Sequence, residues 1–139
     1  GKWFYEKAKI KVKEEKSSLI KAYEFIYDMD LAYALADVII SRAGAIAVSE
    51  LCIVGKPCIL IPSPNVAEDH QTKNANALVL KNAALMVKDV EAKEQLIPLV
   101  DGLMKDESLR NKLSSGLRSM GIRDADKRIV EEVEKLVRK

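Results

Sequence analysis

The chain has 139 residues, 48% of them apolar and 32% charged, and a net charge of +2. That length suits one ordinary domain with a real core, and the mix excludes disorder over the whole length. The near balance of 23 Lys and Arg against 21 Asp and Glu gives no footing to a nucleic-acid-coating protein, and no apolar run approaches the ~20 residues of a membrane span.

The N-terminus, Gly1-Lys2-Trp3-Phe4, is not a signal peptide and lacks an initiator Met, so the chain is expected to be a piece of something longer. Over residues 3–16, Trp3, Phe4, Ala8, Ile10 and Val12 are mixed with many lysines that suit a solvent-facing side, which predicts an amphipathic helix. Residues 19–25 are short, apolar and aromatic, and predict a strand. Asp28 or Asp30 can cap a short helix running through Ala36, because a carboxylate accepts the unpaired N–H groups of a first turn. The β-branched run at 37–41 predicts a buried parallel strand. Arg42-Ala43-Gly44 forms a turn into a helix over 45–54, and Gly55 can take the left-handed conformation that ends it. Pro57 opens a strand over 58–61, where a missing N–H is tolerated. Residues 62–69 read as a polar loop with two prolines. A helix over 70–81 follows, stopped by a left-handed Asn82, and 84–88 is the last short strand. Three helices close the chain, over 93–105, 106–119 and 124–138. Gly121 separates the last two, and Asp124 or Asp126 starts the third.

Strands alternating with helices predict an α/β layer with a parallel sheet and right-handed crossovers. Ligands of such sheets sit outside the carboxyl ends of the strands. That rule selects residues 26–30, 41–50 and 62–74.

The stretch from Ser41 to Glu50 runs from a strand end into a helix. Gly44 permits a sharp turn and close approach of another group to the backbone. The N–H groups of Ala45 and its successors then lack helical partners and suit a phosphate, although a bland strand–turn–helix has the same form. There is neither a Walker sequence nor a GxGxxG fingerprint. Arg42 can reach a phosphate or pair with a carboxylate, and its place before the turn favours the pair. Glu50 can decorate the helix start, or accept two hydrogen bonds from a vicinal diol such as a ribose. His70 is the only histidine; such a residue serves as a base or merely lines a helix start. Gln71 and Asn74 lie on one helical face, and each carries the donor and acceptor that sugar hydroxyls and acetamido groups need, or simply forms a solvated first turn. Cys52 and Cys58 read as buried reduced thiols of a cytosolic protein, and no CxxC pair or His/Cys cluster suggests a metal.

In order along the chain stand Phe25-Ile26-Tyr27-Asp28-Met29, Ala36-Asp37, Ser41-Arg42-Ala43-Gly44-Ala45, Ser49-Glu50, Gly55-Lys56-Pro57, Asp69-His70-Gln71 and Asn74-Ala75. This ordered set resembles the C-terminal domain of the MurG family, the bacterial peptidoglycan N-acetylglucosaminyltransferases, best over residues 24–86. Members move N-acetylglucosamine from UDP-N-acetylglucosamine onto lipid I, undecaprenyl-diphospho-N-acetylmuramoyl-pentapeptide, giving lipid II. The resemblance implies a Rossmann-like parallel sheet flanked by helices, the C-terminal half of a two-domain GT-B glycosyltransferase. Residues 1–139 would form a single partial donor domain, with its first strand and a Gly-rich loop upstream of Gly1. It also implies roles. The backbone at Ile26 would meet the uracil, and Glu50 the ribose hydroxyls. Ala45, Ile46 and Ala47 would meet the diphosphate and sugar, with Val48 and Ser49 in the same donor-binding stretch. Gln71 would contact the N-acetylglucosamine, and Gly44, His70 and Asn74 are secondary candidates. His70 stands where some members have another glutamine. Ala43 and Ala47 replace a frequent Ser and Thr, which shifts the phosphate and sugar contacts toward backbone N–H groups. Asn82 replaces a frequent glycine.

The resemblance places the acceptor site, the base and a membrane-facing patch in an N-terminal domain outside these residues. No catalytic residue, cofactor, metal or nucleic-acid partner is then expected here, and the chain alone should be inactive. The whole enzyme would sit in the cytoplasm, peripheral on the inner face of the cell membrane. Competing readings are another GT-B glycosyltransferase, a UDP-sugar epimerase on the same fold, and a non-catalytic sugar-nucleotide-binding subunit.

Overall fold

The computed structural model describes residues 2–15 and 18–137. Lys16 and Arg138, the predicted ends of the first and last helices, lie outside the described residues. The chain divides into two compact units, residues 1–35 and 36–139.

In the first unit, α1 spans Lys2–Glu14 and α2 spans Met29–Leu35. The Ala32 N–H donates to the Asp28 carbonyl at 3.1 Å. That bond puts Asp28 at the cap position of α2 and Asp30 in its first turn. Between the helices, Phe25 and Tyr27 meet edge to face, ring centroids 4.9 Å apart. The strand expected over 19–25 is absent: those residues are irregular. The cause is pairing rather than propensity. Strand geometry is stable only within a hydrogen-bonded ladder, and among the described residues the ladders join only strands of the second unit. Leu19, Tyr23 and Phe25 accordingly stand exposed.

The second unit is built on three parallel strands in the order β1-β2-β3. They are β1, Ile39–Ser41; β2, Cys58–Leu60; and β3, Leu85–Met86. Ile39 is registered with Cys58, and Ile59 with Leu85. The central strand is buried at all three residues, as expected of a strand covered on both faces. Successive residues point to opposite faces. Ile59 packs with Val87, Leu103 and Leu113. Those leucines come from α5 (Ala92–Lys105) and α6 (Glu107–Met120). Cys58 and Leu60 point the other way.

The crossover after β1 is α3, Ala45–Val54, and the one after β2 is α4, His70–Val79. Gly55 ends α3 at φ 66°, and its N–H donates to the Leu51 carbonyl at 2.8 Å. Asn82 takes φ 52° after α4. There the Ala83 N–H reaches Leu78 O and the Asn82 N–H reaches Val79 O, both at 2.9 Å, the paired bonds of a Schellman stop. Asp106 caps α6 by accepting the Leu109 N–H at 2.8 Å, and Arg110 donates back to the carbonyls of Leu103 and Met104 at the end of α5. The last helix, α7, spans Ala125–Val137. Its start is held at Asp124, whose carboxylate takes a 3.0 Å bond from Arg128; that bond lowers the Asp124 pKa.

Candidate functional site

The carboxyl ends of the three strands open into the loops at 42–44, 61–69 and 87–91. The last ladder rungs are the Ile61 N–H to Ser41 O at 2.9 Å and the Val87 N–H to Leu60 O at 3.0 Å. Beyond them the loops depend on side chains and helix ends.

The first loop enters α3 through Gly44, which caps the helix with extended backbone (φ −64°, ψ 150°) and no side-chain cap bond. The first helical bond runs from the Val48 N–H to Gly44 O at 2.9 Å. The N–H groups of Ala45, Ile46 and Ala47 therefore have no partner within the helix. Together with the helix dipole they form an anion-attracting end. Gly44 does not need the left-handed region, contrary to a sharp glycine turn. A Cβ at Gly44 would meet nothing within 4 Å, so the fold imposes no glycine there and the backbone lies open to an approaching group. Ala43 is completely buried. A hydroxyl at that position would start from the interior, whereas Ala47 is half-buried.

Ser49 turns its hydroxyl back onto Ala45 O at 3.0 Å. Ile46 and Glu50 are exposed and Val48 is half-buried. Arg42 adopts the pairing role: it forms an ion pair with Asp89 and donates to Ile61 O at 3.1 Å.

The α4 side supplies the second wall. Asn74 Nδ2 donates to Ala43 O at 3.0 Å, tying the start of α4 to the turn before α3. Gln71 Oε1 accepts the Ser63 N–H at 2.8 Å. Each side chain thus commits one end to the fold: Asn74 its amide nitrogen, Gln71 its carbonyl. What Gln71 retains for a ligand is an N–H donor. His70 is exposed, with Nε2 3.4 Å from Glu68 Oε2. Glu68 and Asp69 precede it at φ 53° and 54°, a sparsely populated conformation for residues with a Cβ that concentrates at ligand sites. Ile26 belongs to the first unit and is exposed.

Residues 42–50 and 70–74 are therefore brought together in the second unit. The sequence missed Asp89. The signal was available: the rule about strand carboxyl ends applies equally to the loop after the third strand. Among the described residues, no cluster of three His, Cys, Asp or Glu could hold a metal ion. No helix among them is long and apolar enough to cross a membrane.

Residues 1–129 match the family model described as Glycosyltransferase family 28 C-terminal domain. A relative from Cytophaga hutchinsonii is 53% identical over 137 residues, covering 99% of this chain and 36% of its own length. It is named UDP-N-acetylglucosamine--N-acetylmuramyl-(pentapeptide) pyrophosphoryl-undecaprenol N-acetylglucosamine transferase. A relative of the same name from Parabacteroides distasonis is 44% identical over 139 residues, covering 100% of this chain and 38% of its own. Among solved structures, Acinetobacter baumannii MurG matches with a TM-score of 0.75 at 29% identity, over 84% of this chain and 33% of that one. The chain spans about a third of the length of the curated relatives it matches.

Proposed function

The chain belongs to the glycosyltransferase family 28 C-terminal domain family, and we propose on that footing that it forms the donor half of an inverting N-acetylglucosaminyltransferase. Its ligand is UDP-N-acetylglucosamine, and the acceptor of the whole enzyme is lipid I, as the names of the relatives suggest for their own reactions. The observation that carries this reading is the open start of α3. Three N–H groups lack helical partners there, and at Gly44 a methyl group would stand in free space.

In this reading the diphosphate lies against the N–H groups of Ala45, Ile46 and Ala47, with Val48 and Ser49 completing the first turns. Its charge grows as it leaves the anomeric carbon, and fixed N–H dipoles meet that charge without reorganising. Glu50 accepts the two ribose hydroxyls. Gln71 presents its amide donor to the sugar, while Asn74 holds the turn through Ala43 O. His70 lines the sugar side. The acceptor hydroxyl is deprotonated by a base outside these 139 residues. The acceptor half and the contact with the inner face of the cell membrane lie outside them as well, and the chain alone transfers no sugar.

The test is calorimetric titration with UDP and with its 2′,3′-dideoxyribose analogue. A charged hydrogen bond contributes roughly 1.5–3 kcal/mol, so Glu50→Ala should weaken UDP about 10- to 150-fold. The analogue should bind wild type as weakly as UDP binds the variant, and should lose little more in the variant. An analogue that loses as much again on Glu50→Ala removes the diol from Glu50. Absence of UDP binding at millimolar concentration removes the donor site.

A further inference from the structure

The loop after β3 supplies a carboxylate that the donor contacts above do not use. Asp89 opens the 3-10 turn Asp89–Glu91, and Arg42 is the first residue beyond β1. One guanidinium nitrogen of Arg42, Nη1, donates to Ile61 O at 3.1 Å, to Pro62 O at 3.4 Å and to Asp89 Oδ1. Ile61 and Pro62 follow β2, and Asp89 follows β3. A single side chain from the end of β1 therefore joins the loops of all three strands just past their last ladder rungs.

We propose that Asp89 is a positioning residue for the diphosphate-binding turn, acting through Arg42; this rests on the donor-site reading above. Arg42 immediately precedes Ala43 and Gly44, whose backbone aims the N–H groups of Ala45–Ala47. The carboxylate and the two carbonyls converge on one nitrogen of the rigid guanidinium and hold that end of the side chain in place. The backbone of Arg42 is then fixed relative to β2 and β3. Asn74 holds the next residue from the opposite wall, through Ala43 O at 3.0 Å. The Arg42 and Asp89 side chains are 55% and 37% exposed. An exposed pair contributes little to overall stability, so its effect belongs in the geometry of the turn.

The same contacts allow an opposite role, in which Arg42 is itself a phosphate ligand and Asp89 sequesters it. The two roles differ in sign. Loss of the Asp89 charge weakens UDP if Asp89 positions the turn, and strengthens UDP if Asp89 competes for Arg42.

The experiment measures UDP affinity by calorimetry, melting temperature by circular dichroism, and amide shifts of residues 43–47 by NMR, for Asp89→Asn, Asp89→Glu, Arg42→Lys and the double variant Arg42→Lys/Asp89→Asn. The expected result is a loss of about 3- to 5-fold in UDP affinity for Asp89→Asn, the scale of one exposed ion pair. Its melting temperature should stay at the wild-type value, and the amides of residues 43–47 should move. Asp89→Glu should recover most of the affinity. Adding Asp89→Asn to Arg42→Lys should cost little more, because both act through one link. Unchanged or tighter UDP binding by Asp89→Asn overturns the proposal and leaves the donor site standing. If wild type binds no UDP, the donor reading fails and the proposal with it.

Discussion

Gly44→Ala separates what the fold needs from what the ligand needs. In the folded protein the new methyl group meets no atom within 4 Å, and φ at −64° suits any residue. Two small terms then act on stability. Alanine narrows the unfolded ensemble, which stabilises by about 0.4–1 kcal/mol. Alanine is also a poorer helix cap than glycine, by roughly 0.5–1 kcal/mol. They nearly cancel, so the melting temperature should move by no more than about 3 °C. Binding has no such cancellation. If a diphosphate lies at this turn, the methyl group stands in the open space beside the backbone that the phosphate must approach. Loss of one charged hydrogen bond costs about 1.5–3 kcal/mol, which is about 10- to 150-fold in UDP affinity. Thermal melting and calorimetric titration on the same samples measure both. Wild-type affinity in a stable Gly44→Ala protein would refute a diphosphate at this turn. A fall of 10 °C or more would show that the fold itself requires glycine there.

Gln71→Glu keeps the acceptor that holds the Ser63 N–H and removes the amide donor. It should weaken UDP-N-acetylglucosamine several-fold while leaving UDP nearly unchanged, and equal losses by calorimetry would end its assignment to the sugar. Gly116→Ala should behave oppositely to Gly44→Ala, since its Cβ would stand 2.7 Å from Asn82 O and 2.9 Å from Ala83 Cα, both backbone. Two backbone contacts under 3.0 Å put the overpacking cost in the upper part of the usual range, about 2–3 kcal/mol, against about 1 kcal/mol of helix propensity gained, so urea denaturation should show a net loss, and an unchanged midpoint would contradict the tight contact. Burial raises the Cys58 thiol from an ordinary value of 9.0 to about 12. The unfolded chain therefore loses this proton first, so the contribution is complete below about pH 9 and is lost as pH rises toward 12. The stability of wild type relative to Cys58→Ala should fall as pH rises from about 9 toward 12, and a constant difference would place the thiol in contact with solvent.

The second unit was largely legible because its signals are local. Gly55 and Asn82 announced left-handed stops, and both adopt positive φ. The runs Val38-Ile39-Ile40 and Cys58-Ile59-Leu60 are short, apolar and flanked by turn residues, as buried strands are. Residues 19–25 carry the same local signal, but a strand also needs a neighbour, and pairing is not written in the segment itself. The site was legible in part. The turn through Gly44 into α3 could be read from the sequence, and the helix starts where expected. The side-chain commitments could not, because Gln71–Ser63, Asn74–Ala43 and Arg42–Asp89 join segments that only the tertiary fold brings together.

The central claim is that a nucleoside diphosphate is held at the start of α3. Amide-detected NMR titration of this chain with UDP tests it most directly. The expected result is saturable shifts concentrated at Gly44–Glu50, with the amides of α7 unmoved. Shifts that avoid Gly44–Glu50, or none at millimolar UDP, would contradict it.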